Sequence, residues 1–196
     1  SNVSSLTIGV EGPGAQGVIY VDEIRLYAVA PALAALLSSV GPVIEAESGA
    51  ITAPFTIRSD GRGASGGSYI HTDESVGNSS NDPPAPDDGW AVYTIDIPAD
   101  GNYLIAFRGA VLNSDSFWVN IPGMVVNDND LDDSGWVRSN GLFDGDEFVW
   151  DFVRDDAGDT TTDPIVFTLT AGQHELQIAR REDGTALDAI AIFAVN

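Results

Sequence analysis

Cysteine is absent from the 196 residues of this chain. Disulfide bonds, thiol chemistry and zinc sites with cysteine ligands are therefore excluded. The chain is nevertheless long enough to bury a substantial core, and 43% of its residues are hydrophobic, which excludes a disordered chain. We expect a folded domain that is held together by packing and by a bound cation.

Positive charge is scarce. All eight basic residues are arginine, and 30 acidic residues bring the formal net charge to −22. This charge argues against nucleic acid and against an anionic membrane surface as partners, because both would repel the chain. Cations and neutral ligands suit the composition better.

Long apolar runs are missing as well. No stretch of about 20 apolar residues is available to span a membrane, and no cleavable signal peptide is visible. The start at Ser1 predicts a piece of a longer protein whose export signal lies upstream. Together with the lack of cysteine, this favours a secreted, extracellular bacterial protein.

Helical periodicity is also lacking, and short alternating runs recur between turn signals from Val43 onward. This spacing predicts an all-β sandwich. The predicted strands are Ser68–His71, Ala91–Ile97, Gly101–Arg108, Ser116–Ile121, Glu147–Phe152, Ile165–Leu169, Gly172–Arg180 and Leu187–Val195.

The N-terminal part has a different pattern. Residues 1–30 predict a β-hairpin, residues 31–42 a linker, and residues 43–196 the main domain. The run from Val18 to Tyr27, VIYVDEIRLY, resembles the closing strand of a jelly-roll or laminin-G-like domain, which implies the tail of a preceding domain. Two strands alone are marginal in water, so the hairpin is expected to pack on the main domain or to self-associate with a second copy.

Three acidic residues form a candidate metal site. Glu45 and Glu47 are two residues apart, which places them on one face of a strand, and Asp188 opens the last apolar run. If the first and last strands are neighbours, three hard oxygen donors converge, and such donors bind calcium rather than zinc or copper. Solvated strand-end charges are the alternative. Backbone carbonyls at residues 60–64 are expected to complete the coordination.

A second calcium candidate is the acidic run from Asp128 to Asp132, which echoes an EF-hand loop. Asp133 stands where that loop has its turn-making glycine, and Ser139 stands where it has its bidentate glutamate. A flexible acidic loop is the favoured interpretation.

Several phrases fall in an order that resembles the carbohydrate-binding modules of families 6 and 35. They are IEAE from Ile44, ASGGSYI from Ala64, GNY from Gly101, SDSFWV from Ser114, AGQHEL from Ala171, REDG from Arg181 and LDAI from Leu187. The resemblance covers residues 43–196. It implies a galactose-binding-domain-like β-sandwich jelly roll, with a structural calcium on Glu45, Glu47 and Asp188, appended to secreted enzymes that degrade polysaccharides.

Sugar recognition needs flat apolar faces together with hydroxyl-binding polar groups. Trp136, in a polar stretch, and Trp150 are the candidate stacking platforms, although a core position is an equal alternative for each aromatic residue. The resemblance also implies roles for Tyr69 or His71, and for Glu182 and Asp183 before the last strand. Several relatives place an asparagine in that final loop, and this sequence has none there.

Enzymatic activity is not expected. The crowded acids Asp144, Asp146, Glu147 and Asp151 could serve a glycoside hydrolase or lyase, but 30 acids make such clusters common. The sequence therefore predicts a non-catalytic module that targets an attached enzyme to a polysaccharide or oligosaccharide. A structural or adhesive spacer without sugar binding is the alternative, and a small hydrolase is the least favoured one.

Overall fold

The structure is a computed structural model and describes residues 41–79, 85–112, 116–127, 135–143, 145–154 and 164–195. The expected hairpin at residues 1–30, most of the linker, and the acidic run from Asp128 to Asp132 lie outside the described residues. Asp144 does as well.

The described chain is built from short strands and two single 3-10 turns, Ala46–Ser48 and Ser65–Gly67. The strands are β1 (Ile44–Glu45), β2 (Ala50–Ile51), β3 (Thr56–Arg58), β4 (Tyr69–His71), β5 (Trp90–Ile97), β6 (Gly101–Val111), β7 (Phe117–Asn120), β8 (Val125–Val126), β9 (Val137–Ser139), β10 (Val149–Phe152), β11 (Phe167–Leu169), β12 (Gly172–Arg180) and β13 (Thr185–Val195).

Two antiparallel sheets contain these strands. The large sheet has the order β3-β4-β13-β6-β11-β8, with β1 also paired to β13 and β10 also paired to β6. The small sheet has the order β2-β5-β12-β7-β9. The predicted all-β sandwich with jelly-roll architecture is thus confirmed.

The core lies between the sheets because alternate residues of each strand point inward. In β5, Ala91, Tyr93, Ile95 and Ile97 are buried while Thr94 and Asp96 are exposed. The longest strands, β6 and β13, pair along most of their length at the centre of the large sheet. Most of β13 is buried on both faces, and its sequence is accordingly a nearly continuous apolar run that Asp188 interrupts.

A smaller aromatic cluster covers the outer face of the small sheet. Trp118 of β7 alternates with the core residues Phe117 and Val119, so its ring projects away from the main core. Within the described ranges, no helix combines the length and apolarity that crossing a membrane would require.

Candidate functional site

The first and last strands of the described domain lie side by side in the large sheet. β1 pairs with β13 so that Ile44 faces Ile190 and Glu45 faces Ala189. The expected adjacency of these strands is confirmed. The pairing brings Glu45 next to Asp188 although most of the domain separates them in sequence.

Asp188 is directed by a β-bulge in β13. The register with β6 shifts between Leu187 and Ala189, which leaves Asp188 as the extra residue. A bulge bends the strand and changes the direction of a side chain. Asp188 is 0% exposed, so its carboxylate depends on neighbouring groups rather than on water for compensation.

Glu47 also lies close to Asp188, but it is positioned by a 3-10 turn and not by the predicted strand. β1 ends at Glu45, and the chain turns into the 3-10 segment Ala46–Ser48. The expectation that both glutamates share one strand face is therefore wrong. The turn is held by Tyr93, whose buried hydroxyl donates to the Ala46 carbonyl oxygen at 2.7 Å.

The three carboxylates meet around the 3-10 turn that starts at Ser65. Ser65 Oγ lies 2.9 Å from Glu45 Oε2 and 2.9 Å from Asp188 Oδ2. Gly66 has a φ of +62°, and a Cβ atom there would lie 3.3 Å from Glu45 Oε2 and 3.4 Å from Glu47 Oε1. Glycine at this position lets the backbone adopt the turn and approach both carboxylates. We call Glu45, Glu47 and Asp188 the carboxylate cluster.

The carboxylate cluster has fewer donors than acceptors. The single proton of the Ser65 hydroxyl can serve only one carboxylate at a time. Glu47 Oε2 and Asp188 Oδ1 are buried and have no hydrogen-bond partner in the described part of the chain. Burial raises the pKa of Glu47, a hydrogen bond with its own backbone opposes this rise, and the charges of Glu45 and Asp188 add to it.

Arg108 contacts the cluster. Arg108 Nη1 forms an ion pair with Asp188 Oδ2, and Arg108 Nη2 donates to the Gly63 carbonyl oxygen at 3.2 Å. The guanidinium carbon lies 5.4 Å from the centre of the Phe148 ring. Three carboxylates facing one guanidinium leave an excess of negative charge that matches one divalent cation.

The oxygen donors of the carboxylate cluster are of the type that hard divalent cations prefer. Ca²⁺ takes carboxylate and carbonyl oxygens, and two buried carboxylate oxygens here have no partner. Across the described ranges, no three acidic or histidine side chains already surround one point closely enough to hold a metal ion. A bound ion would therefore require the carboxylates to close around it. Gly63 belongs to the segment that was expected to supply backbone oxygens. Its carbonyl oxygen accepts a hydrogen bond from Arg108, which also contacts Asp188 of the cluster.

A second polar site is an open cleft of about 560 Å³. It forms where the β3–β4 region, the end of β6 and the segment before β10 meet. The cleft is lined by Arg58, Arg62, His71, Asp73, Glu74, Ser75, Leu112 and Asp146. The lining contains both positive and negative side chains, and Leu112 is its one apolar residue. The cleft therefore offers hydrogen-bond donors and acceptors rather than an apolar surface.

His71 is the predicted sugar-binding residue that lines this cleft. Its ring is buried, and its Nδ1 has no hydrogen-bond partner in the described ranges. Burial lowers the pKa of His71 and the charge of Arg58 lowers it further, so the ring is neutral at pH 7. Tyr69 is also buried, and its hydroxyl donates to Asp60 Oδ2 at 2.8 Å, which lowers the pKa of Asp60.

Glu182 and Asp183 have partners within the protein. Asp183 is buried, and its Oδ2 accepts a hydrogen bond from the Gly77 backbone N–H at 3.1 Å. Glu182 Oε2 accepts from the Ser116 hydroxyl and lies 3.3 Å from Arg181 Nη1. Both side chains brace the loops at this end of the sandwich, and their role in sugar binding stays a prediction.

The two expected tryptophan platforms have opposite environments. Trp136 is 5% exposed and packs with Trp118 and Trp90, its ring centroid 5.0 Å from that of Trp90. Its expected exposure on a loop is therefore wrong, because it belongs to the aromatic cluster on the small sheet and presents no free face. Trp150 is 47% exposed in β10, where it pairs with Arg108 of β6.

Four charged cleft residues were not identified from the sequence: Arg58, Arg62, Asp73 and Glu74. Asp146 was named only as one of the crowded acids of the hydrolase alternative. One signal was available. Arg58 and Arg62 are two of only eight basic residues in a strongly acidic chain, and they lie in one short segment. A local cluster of positive charge in a strongly acidic chain indicates a site at which the arginines have a specific role.

No protein-family profile matches this chain, and no curated protein matches it in sequence. Solved structures do match in fold. One is a GH26-CBM35 β-(1,4)-mannanase from Podospora anserina, with 17% identity and a TM-score of 0.52 over 79% of this chain and 28% of the mannanase. Another is a family 35 carbohydrate-binding module from Clostridium thermocellum, with 16% identity and a TM-score of 0.50 over 78% of this chain and 97% of that module.

A third match is an exo-β-1,3-galactanase from Phanerochaete chrysosporium, whose structure contains β-1,3-galactotriose. The identity is 19% and the TM-score 0.50, over 78% of this chain and 29% of the galactanase. The chain thus spans less than a third of either enzyme. At this level of identity the matches establish fold, and the described domain has the β-sandwich fold of a family 35 carbohydrate-binding module, as its motifs indicate.

Proposed function

We propose that this domain is a non-catalytic carbohydrate-binding module that holds an oligosaccharide or a polysaccharide chain in the cleft containing His71 and Asp146. The cleft is the observation that carries the proposal. Its volume of about 560 Å³ lies in the range of small-molecule sites. It is open, as binding within a long glycan requires.

The chemistry of the cleft favours a neutral sugar. Arg58 pairs with Asp73 and Arg62 with Asp60, and each guanidinium has further planar donors. Glu74 and Asp146 supply further acceptors, so adjacent hydroxyl groups can be held from both sides. His71 is buried in the wall of the cleft and adds no charge to it. Because the three lining acids outnumber the two lining arginines, and the whole chain is acidic, a uronate gains no net attraction.

Names of the fold relatives support the same sugar class. One acts on β-(1,4)-mannan and another was solved with β-1,3-galactotriose, both of which are neutral hexose ligands. A module of this kind raises the effective concentration of an attached enzyme at its substrate. We propose β-linked neutral hexose polymers as the ligand class and enzyme targeting as the role.

Replacing Asp146 by Ala tests the cleft. Asp146 is exposed before β10, so its removal leaves the core intact. Losing a charged hydrogen-bond acceptor should weaken binding by about tenfold. Affinity electrophoresis against galactomannan and β-1,3-galactan, followed by calorimetry on the soluble oligosaccharides, measures this loss.

Asp96→Ala is the matched control, because Asp96 is an exposed acid on the small sheet, outside the cleft lining. Its binding should equal that of the unmodified protein. Absence of binding to every glycan of a broad array would favour the spacer role instead. Release of reducing ends from the same polysaccharides would overturn the non-catalytic assignment.

We also propose that the carboxylate cluster holds a structural divalent cation, with Ca²⁺ as the preferred ion. The support is the pair of unpartnered buried oxygens on Glu47 and Asp188, together with the uncompensated negative charge. The ion would neutralise repulsion among the three acids and tie β1 to β13. It would not take part in chemistry.

Saturating Ca²⁺ should raise the melting temperature relative to chelator. An ion present at about one hundred times its Kd adds about 2.7 kcal/mol of stability, or roughly 5–10 °C for a domain of this size. Glu47→Gln should abolish the effect, and it should raise the melting temperature in chelator because it removes a charge that is penalised by burial and repelled by Glu45 and Asp188. Differential scanning calorimetry with and without Ca²⁺ measures both. Equal melting temperatures under the two conditions would refute the cation site.

A further inference from the structure

Arg108 occupies an unusual position for one of the few cations in this chain. Its guanidinium lies between the buried carboxylate of Asp188 and the Gly63 carbonyl, with its carbon atom 5.4 Å from the centre of the Phe148 ring. The side chain is 22% exposed, so water screens it only partly. The ion pair with Asp188 is therefore largely buried and differs from an ion pair on the protein surface.

The register of the large sheet explains how the pair forms. Arg108 of β6 stands opposite Ala189, and Gly109 stands opposite Leu187, so the bulged Asp188 has no partner of its own across the ladder. The bulge brings its carboxylate to the face on which Arg108 projects. A guanidinium reaching across one strand can therefore satisfy Asp188 Oδ2, while Asp188 Oδ1 stays without a partner.

The two groups that Arg108 binds are the kinds of oxygen that a divalent cation takes. Ca²⁺ needs six to eight oxygen ligands, and carboxylates and backbone carbonyls are its usual ones. A guanidinium on Asp188 and on Gly63 removes two such oxygens and places a positive charge beside the ion. Each of these effects weakens cation binding.

We infer that Arg108 is a resident counter-ion of the carboxylate cluster that competes with the divalent cation and so lowers the affinity for it. This inference rests on the proposed cation site. Arg108 keeps Asp188 compensated when the ion is absent, which lets the domain stay folded at low calcium. Occupancy by the ion then follows the calcium concentration of the surroundings.

Arg108→Met tests the inference, since methionine keeps an extended side chain over Phe148 and removes the charge. In chelator this variant should melt at a lower temperature than the unmodified protein. It should bind Ca²⁺ at least about tenfold more tightly by isothermal titration calorimetry, because one nearby positive charge is gone. The rise in melting temperature on adding Ca²⁺ should be larger by the corresponding amount.

Arg154→Met is the matched control. Arg154 pairs with Asp151, and its loss changes the total charge equally without touching the carboxylate cluster. Arg108→Gln is a second uncharged variant, in which calcium-dependent recovery of the melting temperature can be scored even if the fold is weakened.

The outcomes separate the two proposals. Tighter binding by Arg108→Met than by Arg154→Met supports the inference, whether or not the unmodified protein binds measurably. Binding by the unmodified protein that is unchanged or weakened in both Arg108 variants overturns the inference and leaves the cation site standing. No Ca²⁺ binding by any variant overturns both.

Discussion

Replacing Asp188 by Asn should destabilise the domain by about 3 kcal/mol in chelator, which corresponds to a fall of roughly 6–12 °C in melting temperature. Asparagine keeps the shape but removes the charge that compensates Arg108. Breaking a buried ion pair from one side leaves the other ion without compensation, and this costs more than the pair itself contributes. The side chain of Asp188 is 0% exposed and that of Arg108 is 22% exposed, so solvent replaces little of the loss.

An opposing effect has to be weighed in the same variant. Removing the Asp188 charge relieves repulsion with Glu47, whose pKa is raised mainly by burial and least by the charge of Asp188. The relief is therefore the smaller term, and net destabilisation is expected. Urea denaturation in chelator measures it.

Asp96→Asn supplies the control for this experiment, because Asp96 is an exposed strand residue of the same type. Its change should stay within about 0.5 kcal/mol, as is usual for surface substitutions. If Asp188→Asn proves as mild as this control, the ion pair with Arg108 does not contribute to folding.

The neighbourhood of Glu45 and Asp188 could be predicted from the resemblance to the related modules, in which glutamates of the first strand and an aspartate of the last strand share one ion. The position of Glu47 could not be predicted in the same way. The strand ends after two residues, and a 3-10 turn then changes the direction of the chain. A segment this short contains too few residues for either period to be read from it.

The burial of Trp136 could not be predicted from its polar neighbours in sequence. Its neighbours in sequence predict a surface loop, but burial is decided by residues distant in sequence, here Trp90 and Trp118. Tertiary packing of this kind leaves no local signal. Arg108 was missed for a related reason, since its pairing with Asp188 depends on a register shift between two long strands.

The cleft was missed because its residues come from short or irregular segments. β3 has only three residues, and the segments carrying Asp73, Glu74 and Asp146 lie outside the strands. Loops tolerate polar residues for many reasons, so a polar loop does not by itself indicate a site. His71 could be named because it ends a recognisable strand, directly after the ASGGSYI motif that resembles the related modules.

Replacing Gly109 by Ala should destabilise the domain by about 3 kcal/mol or more, since it forces atoms into occupied space at the centre of the large sheet. A Cβ atom there would overlap Phe143 Cζ and would lie 2.5 Å from the Ala186 carbonyl oxygen. The ring could shift, but the carbonyl belongs to the paired strand β13 and is held by the ladder. Chemical denaturation measures the loss.

Two further variants distinguish this clash from a general cost of alanine in β6. Gly101→Ala lies in the same strand, and its Cβ would meet only Tyr103 Cε2 at 3.8 Å, an ordinary contact. It should change stability by less than about 0.5 kcal/mol. Adding Phe143→Leu to Gly109→Ala should recover only part of the loss, because the contact with the Ala186 carbonyl remains. Full recovery of stability would mean that the clash with the Phe143 ring accounts for the whole loss. It would also mean that β6 and β13 can move apart beside the bulge that positions Asp188.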